Sequence, residues 1–173
     1  MVRQYSGDWP VFGQEMAWQA TPGKLTGDQV RCAAWGIVLG GGFPCYAEMF
    51  QGPDWGTPAD YGAGAALPFL EILHDSMSAL PYYEMASHNE LVDPGRLCFA
   101  RPGVCYACYT EAGGDIALDL SAASGTFGSE WPDPRTGERI VAGDVPGGGS
   151  EAFQAPDSRD WALFVVRVTA REP

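Results

Sequence analysis

Basic side chains are scarce. Lys and Arg total 10 against 22 Asp and Glu, which leaves a formal charge of −12. A chain this acidic repels phosphates, so nucleic acids and anionic membrane surfaces are excluded as partners. Long apolar runs are also missing, and none approaches the length of a membrane span. Met1 to Trp9 contain neither the apolar stretch nor the cleavage-like site of a secretory leader. His74 and His88 are the two histidines, and neither has a Ser or Cys partner in a nucleophilic arrangement. No phosphate-cradling loop is present. Gly40-Gly41-Gly42 follows a helical pattern instead of opening one, and Gly147-Gly148-Gly149 reads as a hairpin loop. Cys105 and Cys108 form a CxxC without a second CxxC or a nearby His pair. They lie in a strand-like segment, where positions three apart point to opposite faces. No metal and no cofactor are therefore expected. Five cysteines cannot all pair within one chain, and Cys105 and Cys108 are read as structural thiols.

What remains is a composition that folds. Hydrophobic residues make up 46% and charged residues 18%, enough to bury a core. The 23 Gly and 14 Pro favour many turns and short elements over a helical bundle. Near Leu80 the texture changes. Before it, strand-like runs alternate with helical ones. Trp9-Pro10-Val11-Phe12 is a short apolar run. Thr26 to Leu39 is helical by its spacing, with Val30, Ala33, Ala34, Ile37 and Val38 on one face. Thr26 followed by Gln29 is a capping-box pattern, and the three glycines from Gly40 end the helix. Phe43 to Tyr46 is a second short strand. A loop rich in Gly, Pro and aromatics runs from Phe50 to Gly64. A second helix follows at about Leu67 to Met77, with Pro68 in its first turn and Leu70, Leu73, Met77 and Leu80 on its apolar side. Strand, helix, strand, helix describes two βα units of a parallel sheet.

From Leu97 the period is two. The spacing predicts strands at Leu97–Ala100, Val104–Tyr109, Asp115–Leu120, Thr126–Trp131, Arg139–Ala142, Glu151–Gln154 and Trp161–Thr169. Turn signals separate them, among them Asp133-Pro134-Arg135-Thr136-Gly137. Short strands at such regular spacing indicate an antiparallel sandwich. The expected fold class is α+β. Residues 1–80 supply the βα units, 81–95 a linker, and 84–173 the β-sandwich. A complete eightfold βα barrel needs about 250 residues. The first half thus reads as the end of a larger domain that begins in a missing upstream segment.

The chain resembles the C-terminal part of the apiosidase-like glycoside hydrolases, a family also described as DUF4038. In the barrel-end half the resemblance lies in Trp9-Pro10-Val11-Phe12-Gly13-Gln14-Glu15, in Val30-Arg31-Cys32-Ala33-Ala34-Trp35-Gly36 and in Gly40-Gly41-Gly42-Phe43. In the sandwich it lies in Cys105-Tyr106-Ala107-Cys108-Tyr109, Leu118-Asp119-Leu120-Ser121, Gly125-Thr126-Phe127, Trp131 to Gly137 and Phe153-Gln154-Ala155-Pro156. The resemblance implies the end of a (β/α)8 barrel followed by a small β-sandwich that carries a collagen-binding label. It implies a polysaccharide or glycoside substrate once the barrel is complete. Full-length relatives of this kind are exported, whereas this chain shows no leader, so the compartment stays open.

Glycosidases of the common kind use two carboxylates, and in barrels these sit at the C-terminal ends of strands. The resemblance places the late-strand catalytic glutamate at Glu15, as nucleophile. An exposed loop carboxylate is the other reading of that residue. The acid/base partner belongs to an earlier barrel strand that this chain lacks. Glu48 follows the second strand and could face the same cleft, or be solvated in its loop. Trp18, Tyr46 and Trp55 stand near the same rim, with Tyr61 beside them. They could stack on a sugar ring, and core or loop packing is the alternative. Asp54 and Asp60 are weaker candidates. The expected activity is that of a glycoside-hydrolase fragment, inactive alone. The other reading is an accessory sandwich that binds glycan or protein, or braces a catalytic barrel. The two differ in where the sandwich puts its aromatics. A binding site needs them exposed on one face, and a brace buries them against the βα units.

Overall fold

A computed structural model describes residues 11–13, 25–46 and 66–168. Helix α1 (Gly27–Leu39) starts at its predicted cap. The Gln29 N–H donates to Thr26 Oγ1 at 3.3 Å and the Thr26 N–H donates to Gln29 Oε1 at 2.8 Å, which is the reciprocal capping box. After Gly40 the chain turns at Gly41, whose φ of +84° is a left-handed conformation that favours glycine. It then enters β2 (Gly42–Pro44), which pairs in parallel with β1 (Val11–Gly13). The segment is thus one parallel strand pair with α1 as its crossover. Helix α2 (Leu67–Ser78) carries Pro68 in its first turn and buries Leu73 and Met77.

The stretch expected as a linker forms 3-10 turns at Tyr82–Glu84 and Asn89–Leu91, with strand β3 (Ala86–Ser87) between them. All seven predicted strands follow: β4 (Leu97–Arg101), β5 (Cys105–Thr110), β6 (Asp115–Asp119), β7 (Thr126–Pro132), β8 (Arg139–Pro146), β9 (Ser150–Gln154) and β10 (Trp161–Arg167). Strand β8 continues through Pro146, past its expected end at Ala142, because its pairing with β7 persists across a bulge at Ser129/Glu130. The order β3-β4-β5-β10-β7-β8 makes one sheet of six strands, and β6 pairs with β9 in a second sheet of two. Over the described residues the result is a mostly antiparallel β domain with two α-helices, an α+β fold.

The large sheet is covered on both faces. Cys98, Tyr106, Cys108, Leu163 and Val165 face the small sheet and meet Ile116, Leu118 and Phe153. Phe99, Cys105, Ala107, Tyr109, Ala162 and Phe164 face the helices and meet Trp35, Leu39, Leu73 and Met77. Cys105 and Cys108 therefore point to opposite sides, as their spacing on a strand requires. Double coverage explains the near-continuous apolar runs of β5 and β10, whose burial barely alternates. Each large side chain fully buried in these layers contributes about 1.5–3 kcal/mol relative to exposure.

One sequence expectation needs correction. The buried face of α1 is Val30, Arg31, Ala34, Trp35, Val38 and Leu39, while Ala33 and Ile37 are only half-buried. Apolar periodicity set the face slightly off because it counts an arginine as solvated. Arg31 is buried, and Trp35, one turn further on, lies on the same inward side.

Candidate functional site

Glu15, Trp18, Glu48 and Trp55 lie outside the described residues, as do Asp54, Asp60 and Tyr61. In sequence, Glu15 and Glu48 follow the ends of β1 and β2, which pair in parallel. Tyr46 is described. It is half-buried, packs against Val30 and Ala66, and lines a cavity of about 570 Å³ with Phe43, Leu70, Leu73, Met77 and Tyr82. Its described walls are apolar and aromatic, with His74 and Ser78 among them and no carboxylate. These walls can hold an apolar group, but they offer no acid/base pair for glycoside hydrolysis.

Among the described residues, the most developed polar constellation lies at the seam between α1 and the large sheet. Arg31 on α1 donates through Nε to Asp160 Oδ2 at 2.9 Å and through Nη2 to Asp160 Oδ1 at 3.0 Å. Both side chains are 5% exposed. This two-pronged contact matches the guanidinium fork to the carboxylate plane. The Tyr109 hydroxyl donates to the same Asp160 Oδ2 at 3.0 Å. Arg31 also pairs with Asp28 one turn earlier and stands over the Phe69 ring of α2 at 4.6 Å. From the Asp133–Gly137 turn, Arg135 donates to the Asp160 carbonyl at 3.2 Å and to Asp133 Oδ2 at 2.7 Å, with its guanidinium 4.7 Å from the Trp161 ring. Trp35 lies flat on Tyr109, with ring centroids 5.6 Å apart and planes within 3°.

The sequence identified only part of this. It marked Asp133-Pro134-Arg135-Thr136-Gly137 as a tight turn and did not assign Arg135 a partner. It assigned no role to Arg31, Tyr109 or Asp160. The one available signal was Arg31 within an apolar helix face, because a buried Arg requires a buried acid.

The ionisation of these groups fits a structural seam. Burial by itself would lower Arg31, but its hydrogen bonds to Asp160 and Asp28 outweigh this and keep it charged. Burial pushes the Tyr109 phenol well up, so it remains a donor. Burial also raises the Tyr106 phenol and the Cys105 and Cys32 thiols. Cys98 is raised further, first by its hydrogen bond with Cys108 and then by burial. An acid whose folded pKa is raised stabilises fully below its unfolded pKa, and that stability is lost as pH rises. Unfolded thiols ionise near about 8.5 and phenols near about 10. Folding stability should therefore hold at neutral pH and fall above about pH 8.5, first through the thiols and then through the phenols. Urea unfolding at a series of alkaline pH values checks this, and a flat profile would contradict it.

Among the described residues, no group of three or more His, Cys, Asp or Glu converges as a metal site. Among them, too, no helix is long and apolar enough to cross a membrane. The sandwich keeps its large aromatics inside: Phe99, Tyr106, Tyr109, Phe127, Trp131, Phe153, Trp161 and Phe164 are all buried.

Residues 84–166 match the family described as "Putative collagen-binding domain of a collagenase", a span just under half of the chain. No curated protein matches the chain. Solved structures share its fold, among them the three that follow. One, described as "Glycoside hydrolase", superposes with a TM-score of 0.72 at 18% identity, over 84% of this chain and 38% of that one. A family 5 glycoside hydrolase from Bacteroides vulgatus ATCC 8482 gives 0.66 at 17% identity, over 82% of this chain and 36% of that one. A "putative glycoside hydrolase" from the same organism gives 0.69 at 16% identity, over 92% of this chain and 36% of that one. The chain thus spans little more than a third of the length of these structures. The shared portion is larger than the sandwich, so it takes in part of the helical half as well. The chain shares the fold of one part of these glycoside hydrolase structures, and its residues 84–166 are similar to the collagen-binding-like family.

Proposed function

We propose that this chain is the C-terminal part of a carbohydrate-active glycoside hydrolase, and that its sandwich braces the last βα units of a catalytic barrel. The observation that carries this is the seam. The helix-facing side of the large sheet buries Phe99, Tyr109 and Phe164 beneath α1 and α2, and the Arg31–Asp160 pair ties α1 to the loop that enters β10. A module that captures a glycan would present rings to solvent, whereas this one packs its rings inward. The parallel β1–β2 pair with α1 between them suits the end of a barrel. The length of the solved glycoside hydrolases leaves room for the remaining strands upstream.

In this reading Glu15 is the nucleophile of a retaining mechanism, and Trp18, Tyr46, Glu48 and Trp55 line the sugar cleft. A retaining enzyme needs a second carboxylate about 5–5.5 Å from the first, serving as acid/base. That group belongs to an upstream strand, so the chain alone should turn over no glycoside. Two measurements test the proposal. Aryl glycosides of several sugars should remain intact with the wild-type chain, and turnover that disappears in Glu15→Gln would refute inactivity while supporting the role of Glu15. Hydrogen exchange should show α1 amides protected in the wild type and exposed in Asp160→Ala, with the sheet amides protected in both. Unprotected α1 amides in the wild type, or tight binding of a collagen peptide or polysaccharide by the sandwich, would remove the brace.

A further inference from the structure

Cys98 and Cys108 occupy a special position in the large sheet. They stand directly opposite each other on the antiparallel strands β4 and β5. The Cys98 N–H donates to Asn89 Oδ1 at 2.8 Å, and the Cys98 carbonyl accepts from the His88 N–H at 2.7 Å. Both backbone groups of Cys98 therefore face the β3 side, away from β5. Cys98 and Cys108 thus form a non-hydrogen-bonded pair, the type whose side chains approach most closely. Such pairs have Cα atoms about 4.5 Å apart, inside the roughly 4.4–6.8 Å that a disulfide spans. Both side chains lie in the core between the two sheets, and both are fully buried. The other cysteines are placed differently. Cys105 faces the helices, Cys32 is on α1, and Cys45 follows β2. We propose that Cys98 and Cys108 are a built disulfide site, closed when the chain folds in an oxidising environment.

The reaction needs an oxidant, and a low-molecular-weight disulfide supplies it. One cysteine thiolate attacks the oxidant disulfide and releases one small thiol. The second thiolate then attacks the mixed disulfide and releases the other small thiol. The two cysteines lose two protons and two electrons, and the oxidant disulfide gains them. In the folded chain neither thiol meets solvent. The mutual hydrogen bond and burial hold Cys98 well above the usual thiol range, so little thiolate forms. The bridge therefore closes during folding and is inert afterwards. The test refolds the full, reduced and denatured chain in oxidised glutathione, blocks the remaining thiols, and reads intact mass and disulfide-linked peptides. One bridge between Cys98 and Cys108 is expected, leaving three of the five thiols to be blocked. The oxidised protein should unfold at a higher urea midpoint than the reduced one. Cys105→Ala should leave the bridge intact, and Cys108→Ala should abolish it. Five free thiols, a mixture of bridges involving Cys32, Cys45 or Cys105, or a bridged form less stable than the reduced one would each overturn the proposal.

Discussion

Asp160→Ala should destabilise the protein by about 3–5 kcal/mol, the usual cost of stranding one member of a buried ion pair. The substitution removes both acceptors of the Arg31 fork and the acceptor of the Tyr109 hydroxyl. Arg31 retains Asp28, but that carboxylate is 74% exposed and does little to replace a desolvated partner. For a chain of this length the loss corresponds to a drop in Tm of roughly 6–20 °C. An exposed pair behaves differently. Glu84 and Arg101 are both about half exposed, so Glu84→Ala should cost no more than about 1 kcal/mol. The double variant Arg31→Met/Asp160→Leu distinguishes a stranded charge from lost packing. It replaces the pair with apolar groups and should recover much of the stability. Urea midpoints for the four proteins measure all of this. An Asp160→Ala protein within about 1 kcal/mol of wild type would mean that the pair is solvated and that the seam does not hold the helices.

The same pair shows where local sequence reading stops. The limits of α1 were legible because its signals are local: Thr26 and Gln29 cap one end and the glycines stop the other. Its buried face was partly misjudged, since Arg31 meets its acid 129 positions away and no window around the helix contains Asp160. The strands were legible from alternation and turn residues, and the opposed faces of Cys105 and Cys108 followed from the period of two. Strand order was not. Strand β10 inserts between β5 and β7, and β6 leaves the large sheet for β9, pairings that local periodicity does not encode. One clue lay unused. The run Cys105-Tyr106-Ala107-Cys108-Tyr109 is apolar on both faces, and a strand with two apolar faces requires a layer on each side. Read that way, it places the helices against the sandwich. Glu15 and Glu48 were legible only as residues that follow strands; the catalytic role of Glu15 rests on the family resemblance, and Glu48 is a candidate by its position alone.

Gly113→Ala should cost about 2–5 kcal/mol, from two causes that act together. Gly113 has φ +61°, a left-handed conformation that costs an L side chain about 1–2 kcal/mol. A Cβ there would also stand 2.1 Å from the Asp157 carbonyl oxygen and 2.8 Å from the Ser158 Cα. Those are backbone atoms, which cannot swing aside as a flexible side chain can, and overpacking of this kind adds about 1–3 kcal/mol. Gly113 cannot retreat easily either, because its carbonyl accepts from the Thr110 hydroxyl at 2.7 Å. The loop it presses on holds Trp161 through the Asp157 carboxylate at 2.9 Å and leads directly into Asp160. Displacing it should loosen the edge-to-face contact of Trp131 with Trp161 and misalign the acceptor of Arg31. Gly95 is the matched control: its φ is +88°, but a Cβ there meets nothing within 4 Å. Gly95→Ala should therefore show the conformational cost alone, and Gly113→Ala should exceed it by about 1–3 kcal/mol, with a changed near-ultraviolet tryptophan signal. Equal urea midpoints for the two variants would mean that the loop from Asp157 to Asp160 yields freely, and a loop that yields freely cannot hold Asp160 in place for the seam.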